Sequence, residues 1–256
     1  ELVRSASLEL PEKLRLAVNV ATVLSRIHEQ QVMHKDLSSG NILVASEDKP
    51  GSQEGVYIIG FGVASAMQQE TVSHLATDNT LLGNLAYISP EQTGRVNRPV
   101  DYRTDLYSLG VTLYELFTGH LPFESGDALE MIHAHIARQP RPPHQIEADL
   151  PGPVSDIILK LLAKNAEDRY QTAHGLQVDL ETCLDQWQSE GRIEPFELGG
   201  DAREHLEPVQ PGHDIVQNHR VRQVFLAEET GSVHRVLHQF RKAASAHSVS
   251  ILQVRH

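Results

Sequence analysis

Apolar residues recur at helical spacing along much of residues 1–189. Near the start, Leu14, Ala17, Ala21 and Leu24 follow one another three or four positions apart, which places them on one face of a helix. A proline just inside this segment is typical of a helix start. The same periodicity predicts five helices, over residues 11–30, 102–118, 128–138, 154–162 and 176–187.

Two short apolar runs interrupt the helical pattern. Residues 42–45 and 56–61 are rich in β-branched side chains, and a polar stretch with a Pro-Gly pair separates them. This order predicts two strands joined by a hairpin turn. Residues 64–83 are polar and aperiodic, which predicts a mobile loop. The expected fold class is therefore mainly α with a small β-hairpin element.

The composition changes near residue 200, after which the chain is rich in histidine and lacks long apolar faces. In this part, residues 221–244 predict one or two helices and residues 249–254 predict a lone strand. The last segment is either the opening of an ATPase-like module or a disordered tail. The predicted organisation is a lobe over residues 1–189, a linker over 190–214 and this last segment over 215–256.

Length, net charge and cysteine count limit the partners and the compartment that we expect for the protein. The chain has 256 residues, a net charge of -12 and one cysteine, Cys183. The negative charge argues against nucleic acid or an anionic membrane surface as a partner. A single cysteine forms no internal disulfide and fits a reducing, cytoplasmic compartment. No apolar run reaches the ~20 residues that span a bilayer. Because the sequence begins at Glu1 without a signal peptide, we expect it to be a segment of a longer protein.

The most specific motif is His34-Lys35-Asp36, with Asn41 five residues after the aspartate and an apolar run directly after that. The second apolar run ends in Gly60-Phe61-Gly62. An aspartate and an asparagine at this spacing are typical of a phosphoryl-transfer loop, where they position a hydroxyl and a magnesium ion. The alternative is a polar turn between a helix and a hairpin.

Three further motifs follow in order: Ser89-Pro90-Glu91, residues 105–110 (DLYSLG) and Asp168-Arg169-Tyr170. With the loop motif, they resemble the C-terminal lobe of serine/threonine protein kinases from about residue 10 to residue 187. Residues 86–95 (AYISPEQTGR) resemble bacterial, especially cyanobacterial, hybrid kinases. In those proteins a serine/threonine kinase domain precedes an ATPase-like module, a sensor domain and a histidine kinase.

The resemblance implies a role for each matching residue. Asp36 would orient the acceptor hydroxyl, with Lys35 as a positive charge beside it. ATP and Mg²⁺ would be the cofactors, with Asn41 as the metal ligand and Asn41 and Leu43 as nucleotide contacts. Asp105 would accept backbone N–H bonds from the loop, or would only cap its own helix. The other implied sites are His34 packed on Phe61, Glu91 paired with Arg169, and the activation-segment residues Gly60, Gly62 and Asn84.

Several positions depart from the kinase pattern. Gly60 replaces the aspartate that would bind magnesium, and loss of one charge-stabilising group typically lowers a rate ~10²–10³-fold. Ser38 stands where many of these kinases carry a lysine, and Asn84 stands where they carry a threonine. The chain also contains no G-x-G-x-x-G loop followed by a V-A-I-K strand. Half of the expected ATP site is therefore absent from this sequence.

Three hypotheses about function remain open at this point. The first is a partial serine/threonine kinase domain that is catalytically impaired. The second is a pseudokinase scaffold that relays signals within a large sensor protein. The third is a non-functional remnant. The implied partners are a kinase N-lobe, downstream sensor and ATPase modules, and a protein substrate of unspecified identity.

Overall fold

The computed structural model describes residues 8–45, 55–67, 85–200 and 249–251. These residues are rich in helix, and a helix lies at each of the five predicted places. None of the described helices has both the length and the apolar character needed to cross a bilayer. The helices are α1 (Leu10–Glu29), α2 (Arg103–Thr118), α3 (Ala128–Ala137), α4 (Gly152–Leu161) and α5 (Ala173–Glu190).

Local sequence sets the ends of these helices. Before α1, Glu9 and Glu12 form a reciprocal capping box, in which the Glu9 N–H donates to the Glu12 carboxylate at 2.8 Å. Asp127 and Thr172 each accept a first-turn backbone N–H and so cap α3 and α5. Helix α2 ends at Gly119, whose φ of 73° is the left-handed conformation that glycine adopts without strain.

The predicted hairpin is present. Strand β2 (Ile42–Ala45) pairs antiparallel with β3 (Gly55–Ile58), with Ile42 opposite Ile58. The strand predicted near the C-terminus is present as β5 (Val249–Ile251), but it is not alone, because it pairs with the other edge of β2. Two more strands, β1 (Val32–Met33) and β4 (Ser65–Ala66), pair with each other and are too short to leave an alternating pattern.

The structure also corrects two details of the apolar pattern. Strand β3 ends at Ile58 and not at Phe61, because Gly60 turns the backbone into the left-handed region and a 3-10 turn follows. Helix α2, predicted to bury one apolar face, is buried on all sides except at Arg103. It is the central helix of the main core, which α1, α4 and α5 share. At Gly110 an added Cβ would lie 2.7 Å from Leu161 Cβ, so glycine allows α4 to approach closely.

The residues that follow α5 pack on the lobe. Ile193, Phe196 and Leu198 contact the main core, and the Gly199 N–H donates to the buried Asp179 carboxylate at 2.8 Å. Residues 190–200, the start of the predicted linker, thus belong to the packed structure. The predicted loop from residue 68 onward and the predicted helices within 221–244 lie outside the described residues.

A buried ion pair joins Glu91 and Arg169, which lie 78 positions apart in the chain. The Arg169 guanidinium donates to both oxygens of Glu91, at 2.7 and 2.9 Å, and the two side chains are 0% and 5% exposed. Thr104 Oγ1 donates a third bond to the same carboxylate at 2.8 Å. Burial alone would raise the pKa of Glu91, but the hydrogen bonds and charge of Arg169 lower it below its ordinary value.

Removal of Arg169 should destabilise the fold strongly. Arg169→Ala leaves the Glu91 carboxylate buried without its partner, and breaking a buried pair in this way costs about 3–5 kcal/mol of unfolding free energy. Arg141→Ala is the matched control, because Arg141 is exposed and, among the described residues, donates only to the Gln145 carbonyl. We expect the control to cost less than about 1 kcal/mol in urea denaturation. Equal losses in the two variants would contradict a buried, paired Glu91.

The same pair should appear in the pH dependence of stability. A carboxyl whose folded-state pKa is lowered stabilises the fold fully above its unfolded-state pKa, and this contribution is lost as the pH falls through the folded-state pKa. The Glu91 contribution is therefore lost on acidification. Arg169→Ala should flatten the acid limb of the stability curve, measured as urea midpoint against pH. An acid limb that is unchanged in Arg169→Ala would show that Arg169 does not lower the pKa of Glu91.

Candidate functional site

The loop between β1 and β2 is anchored to α2 by one carboxylate. Asp105 Oδ2 accepts the His34 backbone N–H at 2.8 Å, and Oδ1 accepts the Lys35 backbone N–H at 2.7 Å. Asp105 is fully buried, and the His28 Nε2 of α1 lies 3.0 Å from Oδ2. Burial would raise the pKa of Asp105, but His28 and the loop N–H groups lower it below its ordinary value. The loop start is thus fixed against two helices.

Lys35 has a backbone conformation that needs this support. Its φ is 65°, a left-handed value that lysine rarely adopts and that costs on the order of 1–3 kcal/mol. The Lys35 N–H is held by Asp105, and its carbonyl accepts the Gln92 side-chain N–H at 2.8 Å. Gln92 follows directly after the Ser89-Pro90-Glu91 motif. The strained residue is therefore held on one side by α2 and on the other by the end of the activation segment.

His34 connects the loop to the turn after β3. The His34 side chain is fully buried, its Nε2 lies 2.9 Å from the Ile59 carbonyl, and its Nδ1 lies 3.2 Å from the Asp36 N–H. These contacts are both satisfied when Nε2 carries the proton and Nδ1 accepts. The ring also meets Phe61 edge to face at 4.6 Å. His34 therefore sets the spacing between Asp36 and the Gly60-Phe61-Gly62 turn.

Asp36 and Asn41 form the polar centre of the loop. Asn41 Nδ2 donates to the Asp36 carbonyl at 2.7 Å and to the Asp36 carboxylate at 3.1 Å. Burial raises the pKa of Asp36, while the Asn41 bond and the nearby His34 oppose that rise. A raised pKa brings a carboxylate closer to the range in which it accepts protons efficiently near neutral pH. The pair can thus present an oriented proton acceptor.

Gly60 lies directly against the Asn41 amide. Its φ is 91°, and a Cβ added there would lie 2.7 Å from both Cγ and Oδ1 of Asn41. The amide of Asn41 therefore occupies the space that any side chain at position 60 would enter. Glycine meets both constraints, because it tolerates the left-handed backbone and brings no Cβ.

These residues do not fit the magnesium site that the kinase pattern implies. Mg²⁺ requires oxygen ligands at near-octahedral positions, usually with one or two carboxylates. Position 60 offers no carboxylate, and Asn41 turns its N–H toward Asp36. Across the described residues, no group of three or more His, Cys, Asp or Glu side chains could hold a metal ion. Of the Asp36 and Asn41 side chains, only Asp36 carries a carboxylate.

The other predicted site residues are dispersed. Leu43 is 8% exposed and lies outside the main core, one residue from Ile42, which belongs to it. Gly62 is exposed, with no neighbour near its missing Cβ. Glu91 and Arg169 pair with each other and bond neither Asp36 nor Asn41. Asn84 lies outside the described residues.

Sequence reasoning missed several residues that hold the loop. His28 is not among the predicted site residues, yet it lies against Asp105. A hydrogen-bonded chain also runs from Ser39 Oγ to the Tyr87 hydroxyl at 2.9 Å and on to Glu115 Oε2 at 2.6 Å. A buried glutamate within an apolar helix was the available signal for this second connection, because such a group needs a partner.

Comparison with known families places these features in context. Residues 2–180 match the protein kinase domain. The chain belongs to the protein kinase family. The helix-rich kinase fold and the resemblance to serine/threonine kinases are thereby confirmed. Members of this family transfer the γ-phosphoryl group of ATP with the help of Mg²⁺.

Individual relatives match parts of the kinase chain. A probable serine/threonine-protein kinase of Clostridium perfringens is 36% identical over 169 residues, which cover 66% of this chain and 23% of that protein. The serine/threonine-protein kinase PrkC of Bacillus subtilis is 31% identical over 176 residues, 68% of this chain and 25% of PrkC. Hybrid signal transduction histidine kinase G of Dictyostelium discoideum is 54% identical over 95 residues, 37% of this chain and 3% of that protein. The chain thus matches about a quarter of each bacterial relative.

The contact between Gly60 and Asn41 predicts a specific pattern of stabilities. Gly60→Ala imposes both the left-handed backbone and the clash, whereas Gly119→Ala imposes only the backbone, because φ is 73° there and no atom lies within 4 Å. We expect Gly119→Ala to cost about 1 kcal/mol and Gly60→Ala to cost at least about 1 kcal/mol more in urea denaturation.

A double-mutant cycle isolates the clash. In an Asn41→Ala background, the cost of Gly60→Ala should fall toward that of Gly119→Ala, with a coupling energy above about 0.5 kcal/mol. Additive effects of the two substitutions would show that the Asn41 amide does not fill this space.

Proposed function

We propose that this chain contributes the C-terminal lobe of a serine/threonine protein kinase domain and that its own phosphoryl-transfer chemistry is impaired. The match to the kinase domain and to serine/threonine kinases supports the first half of the proposal. The contact of Gly60 with Asn41 carries the second half. At the position where the kinase pattern supplies a metal-binding carboxylate, the structure has a glycine whose side-chain space is filled by an amide.

The roles proposed for individual residues follow from their contacts. Asp36 is the residue that would orient an acceptor hydroxyl, because it is held by Asn41 and its pKa is raised. His34 and Asp105 act as positioning residues, since they hold the backbone on either side of Lys35. Leu43 would belong to the nucleotide face, and an N-lobe would complete that face. No reaction step is assigned to a metal here, because the donor set does not fit one.

A pseudokinase scaffold is the second candidate function. The observation that favours it is the contrast between two sets of residues. The structural contacts are complete: Asp105 binds the loop, and Glu91 binds Arg169 with two hydrogen bonds. The losses fall on the chemical positions instead, above all on the metal-binding carboxylate at position 60. A lobe that keeps its structural contacts but lacks the metal-binding carboxylate suits a relay or docking role within a larger signalling protein.

Nucleotide binding tests the proposal. We expect the chain to show no magnesium-dependent rise in melting temperature when it is titrated with ATP to millimolar concentration, because Gly60 supplies no metal ligand. PrkC of Bacillus subtilis, a kinase of the same family, serves as the positive control. A specific ligand raises the melting temperature progressively with its concentration.

A saturable, magnesium-dependent rise that Asn41→Ala abolishes would overturn the impaired-kinase proposal. Asn41→Ala is chosen because Asn41 is the metal ligand in the kinase pattern. Ser189→Ala is the control variant, since Ser189 is exposed at the end of α5 and bonds only backbone carbonyls of its own helix.

A further inference from the structure

The outer edge of the hairpin that carries Asn41 is the side of β2 that faces away from β3. The alternation of backbone hydrogen bonds along β2 shows which residues face this edge. The Ile59 N–H donates to the Asn41 carbonyl at 2.9 Å, so the backbone groups of Asn41 point toward the β3 side. Backbone groups alternate between the two sides of a strand. Leu43 therefore points its N–H and carbonyl toward β3, whereas Ile42 and Val44 point theirs toward the opposite edge.

One residue on that edge depends on an added strand. The Ile42 N–H is already bonded to the Ser39 carbonyl at the end of the loop. Val44 points its N–H and carbonyl to the same edge, and backbone groups left unpaired at a sheet edge invite another strand. In the register of β2 and β5, Ser250 lies opposite Val44, with Leu43 opposite Ile251. Because backbone groups alternate along a strand, Val44 and Ser250 each donate the backbone N–H to the other's carbonyl.

The face of the hairpin beside this edge is also covered. Successive side chains of a strand point to opposite faces, so Leu43 points away from the core that Ile42 joins. Leu43 is nevertheless only 8% exposed. The pairing of β5 closes the edge of β2, and the burial of Leu43 shows separately that this face of the hairpin is covered.

We propose that the outer edge of β2 is a strand-addition site and that its occupant is the chain's own segment Val249–Ile251. Main-chain bonds supply the affinity in this mode of recognition, as they do when extended peptides add to sheet edges. The segment thereby holds the hairpin whose two ends are Asn41 and Gly60. This connection between the C-terminal segment and the loop is independent of whether the lobe transfers phosphate.

Two proline variants of the full chain test the register. In Ser250→Pro the residue that faces Val44 loses its N–H. In Ile251→Pro the lost N–H faces away from β2, where proline is tolerated on an edge strand. Amide hydrogen exchange is measured by NMR. Ser250→Pro should speed exchange of the Val44 amide about tenfold or more, with Leu43 and Ala45, which bond β3, changed less than about twofold. Ile251→Pro should leave Val44 within about threefold of the natural chain.

Every other outcome counts against the proposal. Unchanged Val44 exchange in Ser250→Pro would remove β5 from this edge. Equal acceleration in the two variants would reject the register. Protection of Val44 that weakens on hundredfold dilution would assign the added strand to a second copy of the chain, and so overturn the intramolecular occupant.

Discussion

The carboxylate of Asp105 is the interaction on which the arrangement of this lobe depends. A fully buried charge is tolerated only when hydrogen-bond donors surround it, and here two loop N–H groups and His28 supply them. The same bonds hold Lys35 in a backbone conformation that it would otherwise leave. Without the hydrogen bonds to Asp105, the start of the loop would not be fixed, and Asp36 and Asn41 would not be held in one arrangement.

Two networks of contacts meet at the loop. One supports the fold, and the other surrounds the candidate chemical residues. The supporting network consists of buried, fully bonded groups: Asp105 with the loop, and Glu91 with Arg169. The chemical network consists of Asp36, Asn41 and position 60, and glycine at that position removes one of its charges. Because the supporting contacts do not pass through position 60, the fold does not depend on a carboxylate there. This separation is what the proposed loss of phosphoryl transfer requires, namely a well-packed kinase fold whose centre lacks one charged group.

The sequence was informative where the structure depends on local pattern. Helical spacing located α1 and the other four helices, and the spacing from Asp36 to Asn41 located the loop. Contacts between distant residues could not be predicted from local pattern, and the Glu91–Arg169 and Asp105–loop contacts were expected only through the kinase resemblance. His28 and Asp105 meet across 77 positions, and β5 reaches β2 from the far end of the chain. Apolar periodicity located α2 but did not predict its burial on nearly all sides, because its buried polar residues find hydrogen-bond partners that no local pattern shows.

The central claim, that Asp105 fixes the loop, is tested most directly by amide exchange in Asp105→Asn. The amide side chain has about the same size but offers one acceptor where the carboxylate offers two. We predict that the His34 or Lys35 amide exchanges at least about tenfold faster, or both do. Asp179→Asn, a buried carboxyl replaced elsewhere in the lobe, should leave both amides unchanged. Exchange of His34 and Lys35 in Asp105→Asn as slow as in the natural chain would contradict the claim.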